Sequence, residues 1–172
     1  DGVDIAMMVH SSVLPEKSIR LYKGNNGCIV KNIDYTGKAS HAGGAPHNGI
    51  NALYAATIGL QAVNALRETF QEKDCLRFHP IITKGGDVVN AIPSDVKLES
   101  YVRGSSIEGI VAGNKKINRA LAGSAAAIGA GVELSDRPGY MPMNNDETLN
   151  EIAAELFKEV VGEEGVIVTD EW

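Results

Sequence analysis

Four residues of chemically useful type stand in settings where a folded chain could present them: His10, His41, Asn90 and Arg103. His10 closes the apolar run Val3-Asp4-Ile5-Ala6-Met7-Met8-Val9. An imidazole there can ligate a metal ion. His41 lies in the glycine-rich stretch Gly37-Lys38-Ala39-Ser40-His41-Ala42-Gly43-Gly44, just ahead of a long proline-free segment. Backbone N–H groups of such a loop, beside the positive end of a helix, favour an oxyanion or a carboxylate. Arg103 offers a planar fork for bidentate carboxylate recognition, which lysine would not reproduce. Taken singly, each has an ordinary reading. A histidine at a strand end is usually a packing residue, a loop histidine a solvated turn, an asparagine before Ala91-Ile92-Pro93 local turn chemistry, and an outward arginine a surface charge. His47 and His79 carry less. His79 shares a face with Arg103 only if strand alternation survives Pro80.

The elements that would position these residues follow from periodicity. Val3 to Val9 is long enough for one buried strand. Cys28 to Tyr35 has strand composition. From Ile50 to about Gln71 apolar residues recur at three- and four-residue steps (Ile50, Leu53, Tyr54, Ile58, Leu60, Val63, Leu66, Phe70), which predicts a helix apolar over more than one stripe. Leu76 to Thr83 reads as a second strand, demoted to a sheet edge or bulge by Pro80. Val96 to Arg103 alternates, with Val96, Leu98 and Val102 inward and Arg103 on an open face. Ser105-Ser106-Ile107-Glu108 opens a second helix with the stripe Ile107, Ile110, Val111, Ile117, Leu121, Ala125 and Ile128. Val132 to Ser135 gives a short fourth strand, and Arg137-Pro138-Gly139 ends the unit. The order strand, helix, strand, strand, helix, strand predicts an α+β, ferredoxin-like split βαβ sandwich. Its four-stranded antiparallel sheet carries two helices on one face, and its strand order is four, one, three, two. A helix from Glu147 to Val161 and a strand start at Val166-Ile167-Val168 follow.

Composition narrows the function classes. The 172 residues suffice for a full core, with 44% hydrophobic residues and mean hydropathy near zero. A net charge of −6 and 5% aromatic residues argue against a nucleic-acid surface. No apolar run reaches membrane-spanning length. Cys28 and Cys75 read as free thiols in a reducing compartment, the expectation for a cytoplasmic protein. The chain opens at Asp1 and stops at Trp172 without an end signal, as a piece of a longer protein would.

Together the motifs resemble a known family. Gly37-Lys38-Ala39-Ser40-His41-Ala42-Gly43, Pro46, Gly49, Asn51-Ala52-Leu53, Gly85-Gly86, Asn90-Ala91-Ile92-Pro93 and Tyr101-Val102-Arg103 resemble, in order and spacing, the lid domain of metallopeptidase family twenty. Met7-Met8-Val9-His10 and Asn51-Ala52-Leu53 lean towards its aminoacylase-1-like and p-aminobenzoyl-glutamate hydrolase branch. The resemblance implies a catalytic domain with two divalent metal ions, usually zinc, interrupted by a ferredoxin-like lid that mediates homodimerisation. It implies His10 as a metal ligand and His41 as the lid histidine that enters the active site of the other protomer and helps hold the scissile carbonyl oxygen. Asn90 and Arg103 would bind the substrate's backbone or carboxylate, with Gly43 and Gly44 letting the backbone approach closely. The implied domains are residues 1–20 ending the first half of the catalytic domain, 21–136 the lid, and 137–172 starting the second half.

The remaining ligands and the general base of that family are absent from this chain, and His10 alone cannot hold two metals. The expectation is therefore an inactive lid fragment, with no metal bound, of a hydrolase acting on N-acyl amino acids, dipeptides or aroyl-glutamates. The alternative is a free-standing ferredoxin-like binding or dimerisation module without catalysis.

Overall fold

In a computed structural model the described residues, 2–169, form two units. One comprises residues 25–143; the other is built from residues up to 24 and from 144 onward. Its strands β1 (Ile19–Tyr22) and β9 (Val166–Thr169) pair in parallel beside helix α3 (Glu147–Val161). Asp146 caps α3 by accepting from the Leu149 N–H at 2.8 Å. The Asn145 and Asn150 amides both donate to the Tyr22 carbonyl. Leu149, Ala153 and Phe157 are half-buried, whereas Ile152, Leu156 and Val160 are exposed. Trp172 lies outside the described residues.

The expected strand over residues 3–9 is not formed. That stretch is irregular, with Val3, Ile5, Met7, Met8 and Val9 exposed. A strand is stable only in a ladder, and among the described residues none pairs with this run.

The 25–143 unit holds the larger core. The two-residue strands β2 (Gly24–Asn25) and β8 (Met143–Asn144) mark where the chain crosses between units. Between them run β3 (Gly27–Thr36), α1 (Ala52–Leu66), β4 (Arg77–Phe78), β5 (Ile81–Lys84), β6 (Asp95–Gly104), α2 (Ile107–Ile128) and β7 (Gly131–Tyr140). The sheet order is β4-β6-β3-β7, with β5 also on β6, and every pairing is antiparallel. The strand expected as continuous from Leu76 to Thr83 is thus two short ones. Pro80 has no N–H to give the ladder, yet the register on β6 is kept across it: Phe78 opposes Val102 and Ile81 opposes Glu99. Alternation survives, and His79 stacks edge-on against Tyr101, with ring centroids 5.9 Å apart.

The fourth strand is longer than its apolar alternation implied. It runs ten residues, through Pro138 to Tyr140, because it is a sheet edge where a missing N–H is tolerated. The register shifts between Cys28 and Ile29, which leaves Gly139 as a bulge. A Cβ at Gly139 would lie 2.5 Å from the Cys28 sulfur.

Both helices cover the face of Ile33, Tyr35, Val96, Leu98 and Val102. Ser106 caps α2 by accepting from Gly109, and Gly129, at φ 78°, ends it. Asn51 caps α1, accepting from the Tyr54 N–H. Of the large apolar residues in the expected spacing, Val63 is buried and Leu53, Leu60 and Phe70 pack against the core, but the tightest contacts of α1 are made by small residues. Ala52, Ala55, Ala56, Gly59 and Val63 are buried, while Tyr54 and Ile58 are exposed. Small side chains let the helix approach the sheet and α2 closely, and close approach outweighs the area that larger residues would bury. Gly59 marks the nearest point: a Cβ there would sit 2.5 Å from the Tyr35 hydroxyl oxygen and 2.8 Å from Ser124 Oγ. That hydroxyl donates to the Leu121 carbonyl at 3.0 Å. Gly59→Ala is expected to cost about 1–3 kcal/mol through overpacking. Gly123→Ala, with nothing within 4 Å, should instead stabilise by about 0.5–1 kcal/mol through backbone entropy. Urea midpoints moving in opposite directions would establish the contrast; equal shifts would refute it.

One buried polar cluster ties α2 to the sheet. Lys31, on the helix-facing side of β3, has no exposed side-chain surface and forms an ion pair with Asp136 of β7. Its ammonium also donates to Asn118 Oδ1 at 2.6 Å. The Asn114 and Asn118 amides donate to Asp136 Oδ2 at 2.7 and 3.2 Å.

Candidate active site

His41 and Asn90 are placed together by an extension of the central ladder. β3 and β6 pair up to Thr36 and Asp95, and the Gly37 N–H then donates to the Ser94 carbonyl. Beyond that end of the sheet the Ile92 N–H donates to Ser40 and the Ala42 N–H to Asn90, both at 2.8 Å. His41 bridges Ala91 between them. Two segments far apart in sequence are thereby paired at the backbone, one carrying His41 and the other Asn90, both exposed. The neighbouring Val88 and Val89 are exposed as well.

The histidine ring is oriented by its own loop. The Gly44 N–H donates to His41 Nδ1 at 2.9 Å, and the Ala45 N–H donates to the His41 carbonyl. Accepting at Nδ1 places the proton of the neutral ring on Nε2. Nε2 has no partner among the described residues, so it is a donor available to an incoming oxygen. Gly44 sits close enough that a Cβ would lie 3.3 Å from Nδ1; Gly43 is slightly farther, at 3.6 Å from Cε1. These glycines seat the imidazole.

Several N–H groups at the helix start are already engaged within the chain. The Ala52 N–H donates to Pro93, Tyr54 to the Asn51 side chain and Ile50 to Lys38. These backbone donors hold the loop against β6 and α1. The side-chain donor that the loop leaves unpaired among the described residues is the imidazole Nε2–H.

Arg103 stands elsewhere. It opposes Cys28 near the start of β3, roughly 30 Å from Ser94 along β6 at about 3.3 Å per residue. Its guanidinium lies over the Tyr101 ring, 5.3 Å from the centroid. Nε is buried with no hydrogen-bond partner. Tyr140 lies across Cys28 from it. Burial raises the Tyr140 hydroxyl pKa, while the nearby Arg103 charge works the other way. Tyr140 escapes a sequence reading because Pro138 interrupts the alternation leading to it.

His10 is exposed in the irregular segment, with Nδ1 against the Ser11 carbonyl. Among the described residues no group of three or more His, Cys, Asp or Glu side chains could hold a metal ion. The residues present do not fit a two-metal centre. Cys28 and Cys75 are free thiols, and no helix among the described residues is long and apolar enough to cross a membrane.

Comparison with known proteins bears on the whole arrangement. The chain is 30% identical to the Xaa-Arg dipeptidase of Mus musculus, over 97% of its own length and 38% of that protein. It is 32% identical to a p-aminobenzoyl-glutamate hydrolase homolog of Haemophilus influenzae, over 78% of its length and 34% of that protein. Among solved structures, a tripeptidase from Staphylococcus aureus superposes with a TM-score of 0.70 at 20% identity, covering 89% of this chain and 40% of that one. That likeness shows the fold alone. The chain thus spans between a third and two fifths of the length of these relatives. Residues 23–126, from before β3 into α2, match the peptidase dimerisation domain family. The chain belongs to that family, the dimerisation domain of the M20 peptidases and amidohydrolases.

Proposed function

We propose that this chain is the lid and dimerisation portion, with a ferredoxin-like arrangement, of a metal-dependent amidohydrolase cleaving N-acyl amino acids, dipeptides or aroyl-glutamates. In this reading residues 21–136 are the lid and the flanking segments belong to the catalytic domain, which supplies the metal centre. The reading is supported by the family, by the relatives' names and by one observation above all. His41 and Asn90 share one end of the sheet, while Arg103 occupies the other. An amino-acid amide is far shorter than that gap, so a site using all three draws them from two protomers.

In such a site His41 Nε2–H donates to the scissile carbonyl oxygen, and the bond strengthens as negative charge develops there. The Asn90 amide holds the substrate backbone. The Arg103 guanidinium, from the other protomer, takes the carboxylate.

Mixing of protomers tests this directly. Full-length His41→Ala and Arg103→Ala proteins, each inactive as a homodimer, are combined and allowed to exchange. Each heterodimer then holds one site with both residues intact, and random pairing is expected to restore about a quarter of wild-type activity. No recovery, with exchange verified, places both residues in one protomer's site and refutes the arrangement.

A further inference from the structure

The bulge in β7 re-aims one side chain. β3 and β7 pair in a single register from Thr36 to Ile29; the register then shifts by one residue, so that Cys28 opposes Tyr140. In an unbulged ladder Cys28 would oppose Gly139, and Tyr140 would turn to the face that the helices cover. The extra residue brings Tyr140 to the open face instead. Gly139 suits the bulge, since a Cβ there would lie 2.5 Å from Cys28 Sγ and 3.1 Å from the Cys28 carbonyl oxygen. Cys28 also opposes Arg103 on β6. Arg103, Cys28 and Tyr140 therefore form one row across three adjacent strands, a small side chain between two long ones.

Backbones two strands apart are separated by about 10 Å, near enough for an arginine and a tyrosine to meet one small group above Cys28. The Arg103 guanidinium is seated over the Tyr101 ring, two residues back on the same face. Tyr140 is 52% exposed, and its hydroxyl feels both the Arg103 charge and the Cys28 thiol. A thiol is a weak hydrogen-bond partner, so the phenol keeps its donor for a stronger acceptor. Its pKa, raised above the ordinary tyrosine value, leaves the O–H in place at neutral pH. On the other flank of Arg103, Arg77 turns one N–H to the Leu76 carbonyl at 3.1 Å. The row thus presents a seated cation and a neutral O–H donor on either side of one thiol. That pair suits a carboxylate, which has about four acceptor sites when ionised, of which a bidentate guanidinium fills two.

We infer that Tyr140 is a second binding residue for the substrate carboxylate, its phenol O–H donating to an oxygen of the group that Arg103 holds. Arg103 supplies the charge and the fork; Tyr140 adds a directional donor from the other side of the row. This rests on the amidohydrolase reading above and adds a residue to its site. The carboxylate keeps its charge throughout amide hydrolysis, so the contact is made alike in the ground state and the transition state. Losing it raises KM and leaves kcat nearly unchanged.

The test follows benzoate release from N-benzoyl-glycine and N-benzoyl-glycinamide by the full-length protein. The two compounds share the scissile amide and differ only at the carboxylate. Tyr140→Phe, which keeps the ring, is expected to raise KM for benzoyl-glycine about tenfold with kcat within about twofold, and to lower the acid-to-amide ratio of kcat/KM about tenfold. Thermal unfolding of the variant separates a binding defect from misfolding. An unchanged ratio, or an equal loss on both compounds such as a packing role would give, overturns the inference and leaves the amidohydrolase reading standing. If the wild type releases benzoate from neither compound, that reading falls for these substrates, and binding decides the inference. The carbon-13 Cζ resonance of Tyr140, assigned by its loss in Tyr140→Phe, is then followed. A shift on adding benzoyl-glycine, absent with benzoyl-glycinamide and abolished by Arg103→Gln, upholds the inference; any other pattern refutes it.

Discussion

His41→Ala in the full-length protein is expected to lower kcat roughly a hundred- to a thousandfold, the usual consequence of removing one donor from a developing oxyanion. Stability should move by less than about 0.5 kcal/mol, because the side chain is exposed and its ring supports only the Gly44 N–H. The two readouts together carry the argument. A packing residue would lose stability and activity in parallel; an exposed transition-state donor loses activity alone. The tautomer makes the expectation sharper. Gly44 donates to Nδ1, so the outward atom is Nε2–H, and a glutamine at position 41 could recover part of the rate by presenting an amide donor at similar reach. Steady-state kinetics with unfolding curves for the same preparations would check it. Unchanged kcat would remove His41 from the chemistry.

Asp136→Asn is expected to destabilise the 25–143 unit by about 3–5 kcal/mol, because it leaves the Lys31 ammonium charged, buried and without a counter-charge. At this size the shift in Tm should be on the order of 10 °C. Burial drags the Lys31 pKa down, opposed by the hydrogen bond and charge of Asp136. For Asp136, burial alone would raise the pKa, but the hydrogen bonds from Lys31, Asn114 and Asn118 together outweigh it and hold the carboxyl below its ordinary range. A carboxyl with a lower pKa folded than unfolded stabilises fully above the unfolded value, about pH 4, and loses that contribution as pH falls through the folded value. The wild type should therefore weaken below about pH 4 in a way that Asp136→Asn does not. Lys31→Met, which removes the buried charge and keeps the volume, should cost less than half as much, since Asp136 retains two amide donors and partial exposure. Equal losses from the two substitutions would show that packing, and not the stranded charge, sets the cost.

The sheet and its helices were largely written in local pattern. Strict alternation from Val96 to Arg103 specifies which residues face the helices, and Ser106 and Gly129 bracket α2 by cap chemistry that acts within a single turn. Pro80 marked an edge, and an edge it is. Pattern misled where a nonlocal choice intervened. Val3 to Val9 has strand composition but no ladder partner among the described residues. Tyr54 and Ile58 have helical spacing, yet the sheet is met by Ala55, Ala56 and Gly59 instead.

For the candidate site the division is similar. By itself the sequence determined the residue types, the glycine loop around His41, the outward direction of Arg103 and membership of a recognisable family, since each depends on identity and spacing within a few residues. Only the tertiary structure decided which residues meet. The extended β3–β6 ladder brings Asn90 to His41; the same ladder carries Arg103 to the far end, and its edge sets Arg77 opposite Arg103. Lys31 finds Asp136 across a β3–β7 register that no local period encodes. Periodicity records the face a side chain takes; its partner is chosen by chain closure over many tens of residues, where the energy of the whole core selects one register.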